Sequence, residues 1–398
     1  TAQGVVHAQE TKKYGADSMP GGTVDDPLVF VSIAADGTVI IIAHRSEMGT
    51  GVRTSLPMVV ADELEARWDK VRVVQAQGIE SKYGNQNVDG SRSVRHFFAP
   101  MRRVGAAARQ MLEAAAAARW GVPVAQVKAV QHEVIHTATG KRFGYGELAA
   151  DAAKQPIPKG DALRLKKAAD FRYIGKGKLA VVDLADIGKG KAVYGQDKHL
   201  PGMVYAVVAR PPVLGAKLRS AQKDKALAVP GVKALVDIPA YKGAPAFQPL
   251  GGVAVVARNT WAATKGREAL VLDWDEGPHA SYDSAAYRKE LEKSANSPGK
   301  VLRSNGDLEA AVKNAGNQAL VKADYYVPHL AHASMEPPTA TALLSADKSH
   351  CEIWTSVQAP EAARELVAAA LGLKLEQVTV NVLLLGGAFG RKSKPDFA

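Results

Sequence analysis

Apolar and polar positions recur along this chain with periods that separate strands from helices. Residues 29–33 and 39–43 are runs of strand-favouring side chains joined by Ala35-Asp36-Gly37, which predicts two strands and a turn. Over 55–68, Leu56, Val59, Val60 and Leu64 share one face at helical spacing, and 71–74 returns to strand character. Residues 83–93, rich in glycine and asparagine, are too polar for a core. A long alanine-rich helix is predicted over 101–120, with Pro100 placed to start it and Gly121 to stop it. Residues 127–136 read as a strand entering a hairpin at Thr139-Gly140-Lys141.

Residues 156–167, with proline, lysine and glycine, read as a linker. Beyond it, strands are expected at 204–209, 232–238, 253–257, 269–274, 340–344 and 378–384, and helices at 307–314 and 360–371. No internal repeat shows in the sequence. The expected fold class is α/β (α+β), two lobes of mixed sheets with helices.

Composition narrows the function classes. No apolar run approaches the roughly 20 residues that span a bilayer, and 378–385 is interrupted by Asn381, so a membrane-spanning role is not expected. The 51 lysines and arginines exceed the 40 aspartates and glutamates, for a net charge of +11. Such a chain favours a phosphate-bearing cofactor, an acidic subunit or nucleic acid. Its tightest basic cluster, Arg92, Arg95, Arg102 and Arg103, encloses only the adjacent pair Phe97-Phe98. A stacking platform for bases needs spaced aromatics, so a solvated basic face is the simpler reading and no nucleic acid is expected. The single cysteine, Cys351, excludes a disulfide within the chain and any zinc or iron–sulfur site built on several cysteines. It is expected to be a small buried apolar residue. Any electron-transfer cluster therefore belongs to another subunit. Residues 1–22 are polar and lack an export signal, which is consistent with a mature end left after cleavage.

Three elements carry candidate chemistry. Ser356-Val357-Gln358 precedes a predicted helix and strand, after which comes Gly386-Gly387-Ala388-Phe389-Gly390-Arg391-Lys392. Glycine accepts positive φ without a Cβ clash, so such a loop lets backbone N–H groups approach a ligand. The spacing fits neither a Walker A loop nor a dinucleotide fingerprint. Ser46-Glu47-Met48-Gly49-Thr50-Gly51 opens a helix, where N–H groups suit an anion. Asp89-Gly90-Ser91-Arg92-Ser93 mixes small, hydroxyl and basic residues, suited to a phosphate edge but equally to a plain polar loop. His332 and Glu336, four apart, suit a metal pair or an acid–base pair on a helix. Pro337-Pro338 ends any helix there, and a buried structural pair is the preferred reading. Residues 175–178 and 188–191 alternate glycine and lysine and read as exposed turns.

The S-x-Q element, followed across one helix and one strand by G-G-[GA]-F-G, resembles the molybdenum-cofactor subunits of the xanthine dehydrogenase and aldehyde oxidoreductase family. There the glutamine approaches the metal and the Phe-Gly backbone lies against the metal-bound dithiolene pterin. The resemblance implies a catalytic role for Gln358 and cofactor contacts for Gly386, Gly387, Ala388, Phe389, Gly390 and Arg391, with no protein ligand to the metal. The 46–51 element is similar to the family's E-M-G-Q-G, with Thr50 in place of glutamine, and implies cofactor contacts for Gly49, Thr50 and Gly51. The 89–93 element resembles its serine-rich loop, with Ser91 and Ser93 at matching places. In xanthine dehydrogenases these two elements follow the glycine loop, whereas here they precede it. That order is similar to the isoquinoline 1-oxidoreductase type, including membrane-associated aldehyde dehydrogenases. Leu200-Pro201-Gly202-Met203-Val204-Tyr205 and 330–337 also resemble that subgroup. The likeness extends over nearly all of the chain from Pro27.

The resemblance implies a polar extension at 1–26, part of the second cofactor-binding lobe, in permuted order, at 27–155, a linker at 156–170, a hammerhead-like α/β domain at 171–275 and the first cofactor-binding lobe, truncated, at 276–398. It implies a molybdopterin-type cofactor, with a cytosine dinucleotide form left open, and oxidation of aldehydes or hydroxylation of N-heteroaromatics with water as the oxygen source. Implied partners are a 2Fe–2S subunit, the C-terminal half of the molybdenum subunit and a cytochrome c. The implied location is the periplasm, with the cytoplasm as the alternative. The family's base is a glutamate in a G-x-G-E motif, and no such motif occurs here. Ser393 stands where relatives often carry a glutamate that orients purines, which disfavours purine hydroxylation. Two alternatives stay open: an inactive structural half that needs a second chain, and a basic binding or scaffold protein.

Overall fold

A computed structural model describes residues 19–243 and 247–398, so most of the extension expected at 1–26 lies outside the described residues. From the N-terminal side the elements are α1 (Pro27–Phe30), β1 (Val31–Ile33), β2 (Val39–Ala43), α2 (Val52–Glu63), β3 (Val71–Gln75), α3 (Glu80–Tyr83), α4 (Arg92–Trp120), β4 (Val127–Val130), β5 (Glu133–His136), β6 (Arg142–Gly144), α5 (Tyr145–Ala152) and α6 (Leu184–Gly188). Then come β7 (Tyr205–Ala209), β8 (Lys217–Gln222), α7 (Asp224–Leu227), β9 (Val232–Ile238), β10 (Gly252–Ala257), α8 (Thr260–Ala269), β11 (Val271–Asp275), α9 (Ser284–Ala295) and α10 (Leu308–Ala319). The chain ends with β12 (Ala340–Leu344), β13 (Cys351–Thr355), α11 (Pro360–Leu371) and β14 (Val378–Val382).

Contacts divide the chain into two units, one of residues up to Leu200 together with His332–Ala398, the other Pro201–Ala331. In the second unit β10 pairs antiparallel with both β7 and β9, and β11 pairs with β8. The units do not follow the boundaries expected at 170 and 275. The reason lies in the stretch expected to be a linker, which is strapped to the first unit. Gln110 donates through Nε2 to the Ala162 carbonyl at 2.8 Å and accepts from the Arg164 amide at 2.7 Å. Lys166 pairs with the buried Asp62 at 2.7 Å.

The first unit contains one topology twice. β1 and β2 form an antiparallel hairpin, and α2 then crosses to β3, parallel to β2. Likewise β12 and β13 form a hairpin, and α11 crosses to β14, parallel to β13. Strands β2, β13 and β14 all alternate buried and half-buried positions, the period-2 signature of a sheet with one face on a core. Helix α4 packs on α2 over a core that includes Leu56, Val60, Phe97, Met101, Val104 and Leu112.

Two expectations on this unit need correction. Helix α4 starts at Arg92, not after Pro100, which lies inside it. Proline removes one helical hydrogen bond, but Phe97 in the preceding turns is fully buried against His44 and Arg45, and that packing keeps the turns wound. The segment 127–136 is two strands, β4 and β5, because Gln131 and His132 take positive φ and turn the chain.

Asp62 offers a pH test of the strap. Burial pushes its pKa up, but the Ile174 amide, the Lys166 ammonium and the Tyr173 and Arg172 amides outweigh that, and the pKa is lowered overall. A carboxylate lowered from its unfolded value of about 3.9 contributes stability above that pH and loses it as pH falls through the folded value. Asp62→Asn is therefore expected to lower Tm at pH 7 and pH 5, with the gap to wild type shrinking below about pH 4. Melts at pH 3, 5 and 7 read this directly, and a gap independent of pH would exclude the linkage.

Candidate functional site

The candidate loops all follow strand C-terminal ends of the two repeated sheets, where parallel strands leave backbone groups free. Residues 46–51 follow β2, 76–93 follow β3, 356–359 follow β13 and 383–393 follow β14. Backbone hydrogen bonds sew the two halves together reciprocally. The Gly78 amide donates to the Val380 carbonyl at 3.2 Å, and the Leu385 amide donates to the Glu47 carbonyl at 3.0 Å. Between them, the Val88 amide donates to the Gln358 carbonyl at 2.9 Å, and Gln358 Nε2 donates back to the Val88 carbonyl at 2.6 Å. The two sheets thus share one seam, and Gln358 is buried on it, 1% exposed.

The helix start at 46–51 is not the open anion site expected from sequence. The Glu47 carboxylate already accepts from the amides of Gly49 at 2.8 Å, Gly51 at 2.9 Å and Arg53 at 3.0 Å. Its negative charge sits at the positive end of α2, which stabilises both. What remains on offer is the exposed Thr50 and the open space beside Gly49, where an added Cβ would meet nothing within 4 Å.

Arg45 shapes the 85–93 loop and was not legible as a site residue. Its buried guanidinium donates to the Asn85 carbonyl at 2.7 Å, the Asn85 side chain at 2.8 Å and Ser93 Oγ at 3.1 Å, and lies 5.0 Å from the Phe97 ring centroid. Burial brings its pKa down to about 10, with Glu80 and Asp89 opposing the shift, so it stays charged at neutral pH. Ser93 is therefore spent in part on Arg45. Ser91 is exposed and left-handed at φ +53°, and it precedes the N-terminus of α4 with no side-chain cap. Next to Arg45, His44 is fully enclosed, and burial, then the Arg45 charge, push its pKa well below the ordinary value.

The 386–390 loop is held from behind. The Glu336 amide donates to the Gly386 carbonyl at 3.0 Å, and the Gly386 amide donates to Glu336 Oε2 at 3.0 Å. Lys392, the last residue of the 386–392 run, is fully buried and ion-paired with Glu336. Arg391 binds Asp396 through two hydrogen bonds of 2.7 and 2.8 Å. The helix considered for His332 to Glu336 does not form; His332 is exposed and Glu336 buried, so the two do not act as a pair. In front, Gly387 and Gly390 take φ of +96° and +93°, and Phe389, also left-handed, folds its ring toward Gly387 and stays 62% exposed.

Several buried polar atoms on this seam lack a partner among the described residues: Gln358 Oε1, Ser46 Oγ and Asn87 Oδ1. An unpartnered buried polar atom costs about 1–3 kcal/mol, so a group of them marks a place built for a further binding partner. With the open glycines and the uncapped end of α4, they fit a polar, phosphate-bearing ligand such as the molybdopterin implied above. Of the sequence candidates, Gln358, Ser93, Gly386 and the 46–51 element meet on this seam, while the Gly51 amide and the Arg391 side chain have partners within the chain.

Comparison with known proteins agrees with the geometry. Two domain families, each described as molybdopterin cofactor-binding domain, match residues 4–181 and 293–397. The chain is 31% identical to the beta subunit of the isoquinoline 1-oxidoreductase of Brevundimonas diminuta, over 96% of its own length and 53% of that protein. It is 30% identical to the membrane-bound aldehyde dehydrogenase (pyrroloquinoline-quinone) of Gluconacetobacter polyoxogenes, over 96% of its length and 48% of that protein. Identity to a nicotinate dehydrogenase subunit of Pseudomonas putida is 26% over 92% of this chain and 30% of that one. The chain spans about half the length, or less, of these curated relatives.

Proposed function

The chain belongs to the molybdopterin-binding subunits of the xanthine dehydrogenase and aldehyde oxidoreductase family, of the isoquinoline 1-oxidoreductase type, and from that we propose that it forms one wall of a molybdenum hydroxylase site. The observation that carries the reading is the reciprocal pairing of Gln358 with Val88, beside the Leu385–Glu47 bond, which brings four loops to one seam with Gln358 Oε1 left without a partner among the described residues. The residues that would hold the cofactor are Gln358, the 386–390 backbone, Thr50 beside Gly49, and Ser91 at the start of α4. When bound, that group supplies a metal that accepts two electrons while water supplies the oxygen. The protein's part is to bind, orient and exclude solvent. Gln358, fixed at its backbone on both sides, presents its amide in one orientation. Phe389 and Thr50 offer the exposed faces of the seam.

The whole enzyme is proposed to oxidise aldehydes to acids or to hydroxylate N-heteroaromatics. Cys351 is the chain's one cysteine and is buried, so electrons are proposed to leave through a 2Fe–2S subunit and onward to a cytochrome c. The remainder of the molybdenum subunit is proposed as a second partner. The likeness to a membrane-bound relative makes the periplasm the proposed location. That relative's name also raises a second cofactor, pyrroloquinoline quinone. Cofactor analysis of the purified complex decides between them. Molybdenum near one atom per chain, with a pterin dithiolene, is the expected result, and quinone without molybdenum would overturn the reading.

A further inference from the structure

Beneath the 386–390 loop lies a carboxylate that none of the assigned motifs uses. Glu336 Oε1 accepts from the Gly195 amide at 2.6 Å, the Gln196 amide at 3.3 Å and Ser356 Oγ at 3.4 Å. Its Oε2 accepts from the Gly386 amide at 3.0 Å and from the Lys392 ammonium. One side chain thus ties together four segments far apart in sequence. Two glycines record how closely they approach. A Cβ at Gly195 would lie 2.6 Å from Thr339 Oγ1, 2.8 Å from Ser356 Oγ and 3.1 Å from Glu336 Oε1, and one at Gly386 would lie 2.8 Å from Glu336 Cβ. The same segments reach Gln358, whose amide donates to the Lys392 carbonyl at 3.0 Å. Ser334 Oγ adds a bond to the Ala388 carbonyl at 3.1 Å.

We propose that Glu336 is a positioning residue for the cofactor wall: with Lys392 as its counter-charge, it sets the register of the 386–390 loop against Gln358. The assignment rests on the proposed function for its purpose, but not for its geometry. A buried ion pair that served only stability would be replaceable by uncharged side chains at little cost. Here the two oxygens do separate work. Oε2 holds the glycine loop, Oε1 holds 195–196 and Ser356, and Lys392 carries both a charge for Glu336 and a carbonyl for Gln358. A glutamine at 336 keeps one acceptor oxygen and turns a donor toward the amides of the other side, so one set of bonds must fail. Glu336→Asp keeps the charge but shortens the reach by a methylene, and is predicted to lose the same bonds to a lesser degree.

Amide hydrogen exchange in the purified complex tests this without reference to turnover. In wild type stripped of cofactor the Gly195 and Gly386 amides are expected to be protected, and the Phe389 amide to exchange freely. In Glu336→Gln/Lys392→Met, which removes both buried charges together, exchange at Gly386 or at Gly195, whichever side loses its acceptor oxygen, should rise roughly tenfold or more, the scale of a lost charge-assisted hydrogen bond. Exchange in α4 should stay unchanged. Molybdenum and pterin retained through dialysis should fall in parallel, while Lys392→Arg, which keeps the charge, should retain most of both. A double variant with wild-type exchange at both Gly386 and Gly195 would overturn the proposal. So would a wild-type Gly386 amide as exposed to exchange as that of Phe389, which needs no variant to fold. Protected Gly386 in a complex without molybdenum would leave the positioning role standing and sink the proposed function instead.

Discussion

Gly105→Ala is expected to destabilise the protein by about 2 kcal/mol, although alanine is the better helix former. In an exposed helix the exchange would gain about 1 kcal/mol. At position 105, however, an added Cβ would stand 2.4 Å from the Val60 carbonyl oxygen and 2.7 Å from Glu63 Cβ. Helices α2 and α4 therefore meet backbone to backbone at Gly105, and a methyl group forces them apart. Overpacking of that kind costs about 1–3 kcal/mol, occasionally more. Separation also strains the network at Glu63, whose buried carboxylate binds Arg102 Nε at 2.8 Å and the Lys166 amide at 3.0 Å. Breaking such a buried pair costs about 3–5 kcal/mol, against a total stability on the order of 5–15 kcal/mol. Gly105→Val, with two further methyl groups, should yield no folded chain. Urea melts of the alanine variant give the sign: a gain in stability would mean that the helices can move apart freely.

The elements legible in the sequence are those whose signal is local. Strand β14 alternates in sequence as it does in burial, β2 is a short unbroken run of strand-favouring residues, and α11 opens with Pro360 and closes at Gly372 in the left-handed conformation. The glycine loop after β14 could be read because Gly387 and Gly390 do adopt positive φ. What could not be read depends on pairing over distance. The hairpin–helix–strand unit occurs twice, yet period-2 and period-3.6 patterns say nothing about which strand lies beside which. Strand β8, Lys217–Gln222, is polar or charged at four of its six positions and carries no apolar run to mark it. Glu336 was weighed with His332 because the two are four apart, whereas its partners come from 195, 356, 386 and 392. Nothing around Lys392 in sequence marks it as buried, and only the fold shows it enclosed.

The chain loaded with cofactor and assayed alone should turn over about 10²–10⁴ times more slowly than the assembled enzyme, the usual contribution of a general base. The chemistry proposed needs a carboxylate free to take a proton from the water that supplies oxygen. The carboxylates on the seam are otherwise engaged. Glu47 caps its own helix through three amides, Glu336 is bound to Lys392 and Gly386, and Asp396 is held by Arg391 through two bonds. Glu352, on the strand before Gln358, accepts from the Asn381 side chain at 2.8 Å. A general base must have an oxygen within reach of the proton it takes, and oxygens already turned onto ammonium, guanidinium or N–H donors inside the chain are not aimed at that water. A second polypeptide, or a further part of the molybdenum subunit, is therefore expected to bring a glutamate over the 386–390 loop. The measurement is turnover of an aromatic aldehyde and a quinoline-type heterocycle with an artificial electron acceptor, before and after adding the polypeptides that co-purify. Recovery of rate on addition, lost again when a single glutamate of the added chain is changed to glutamine, identifies the base. Full turnover by this chain alone would place the base among its own residues, with Glu352, bound only by a neutral amide, the first to substitute.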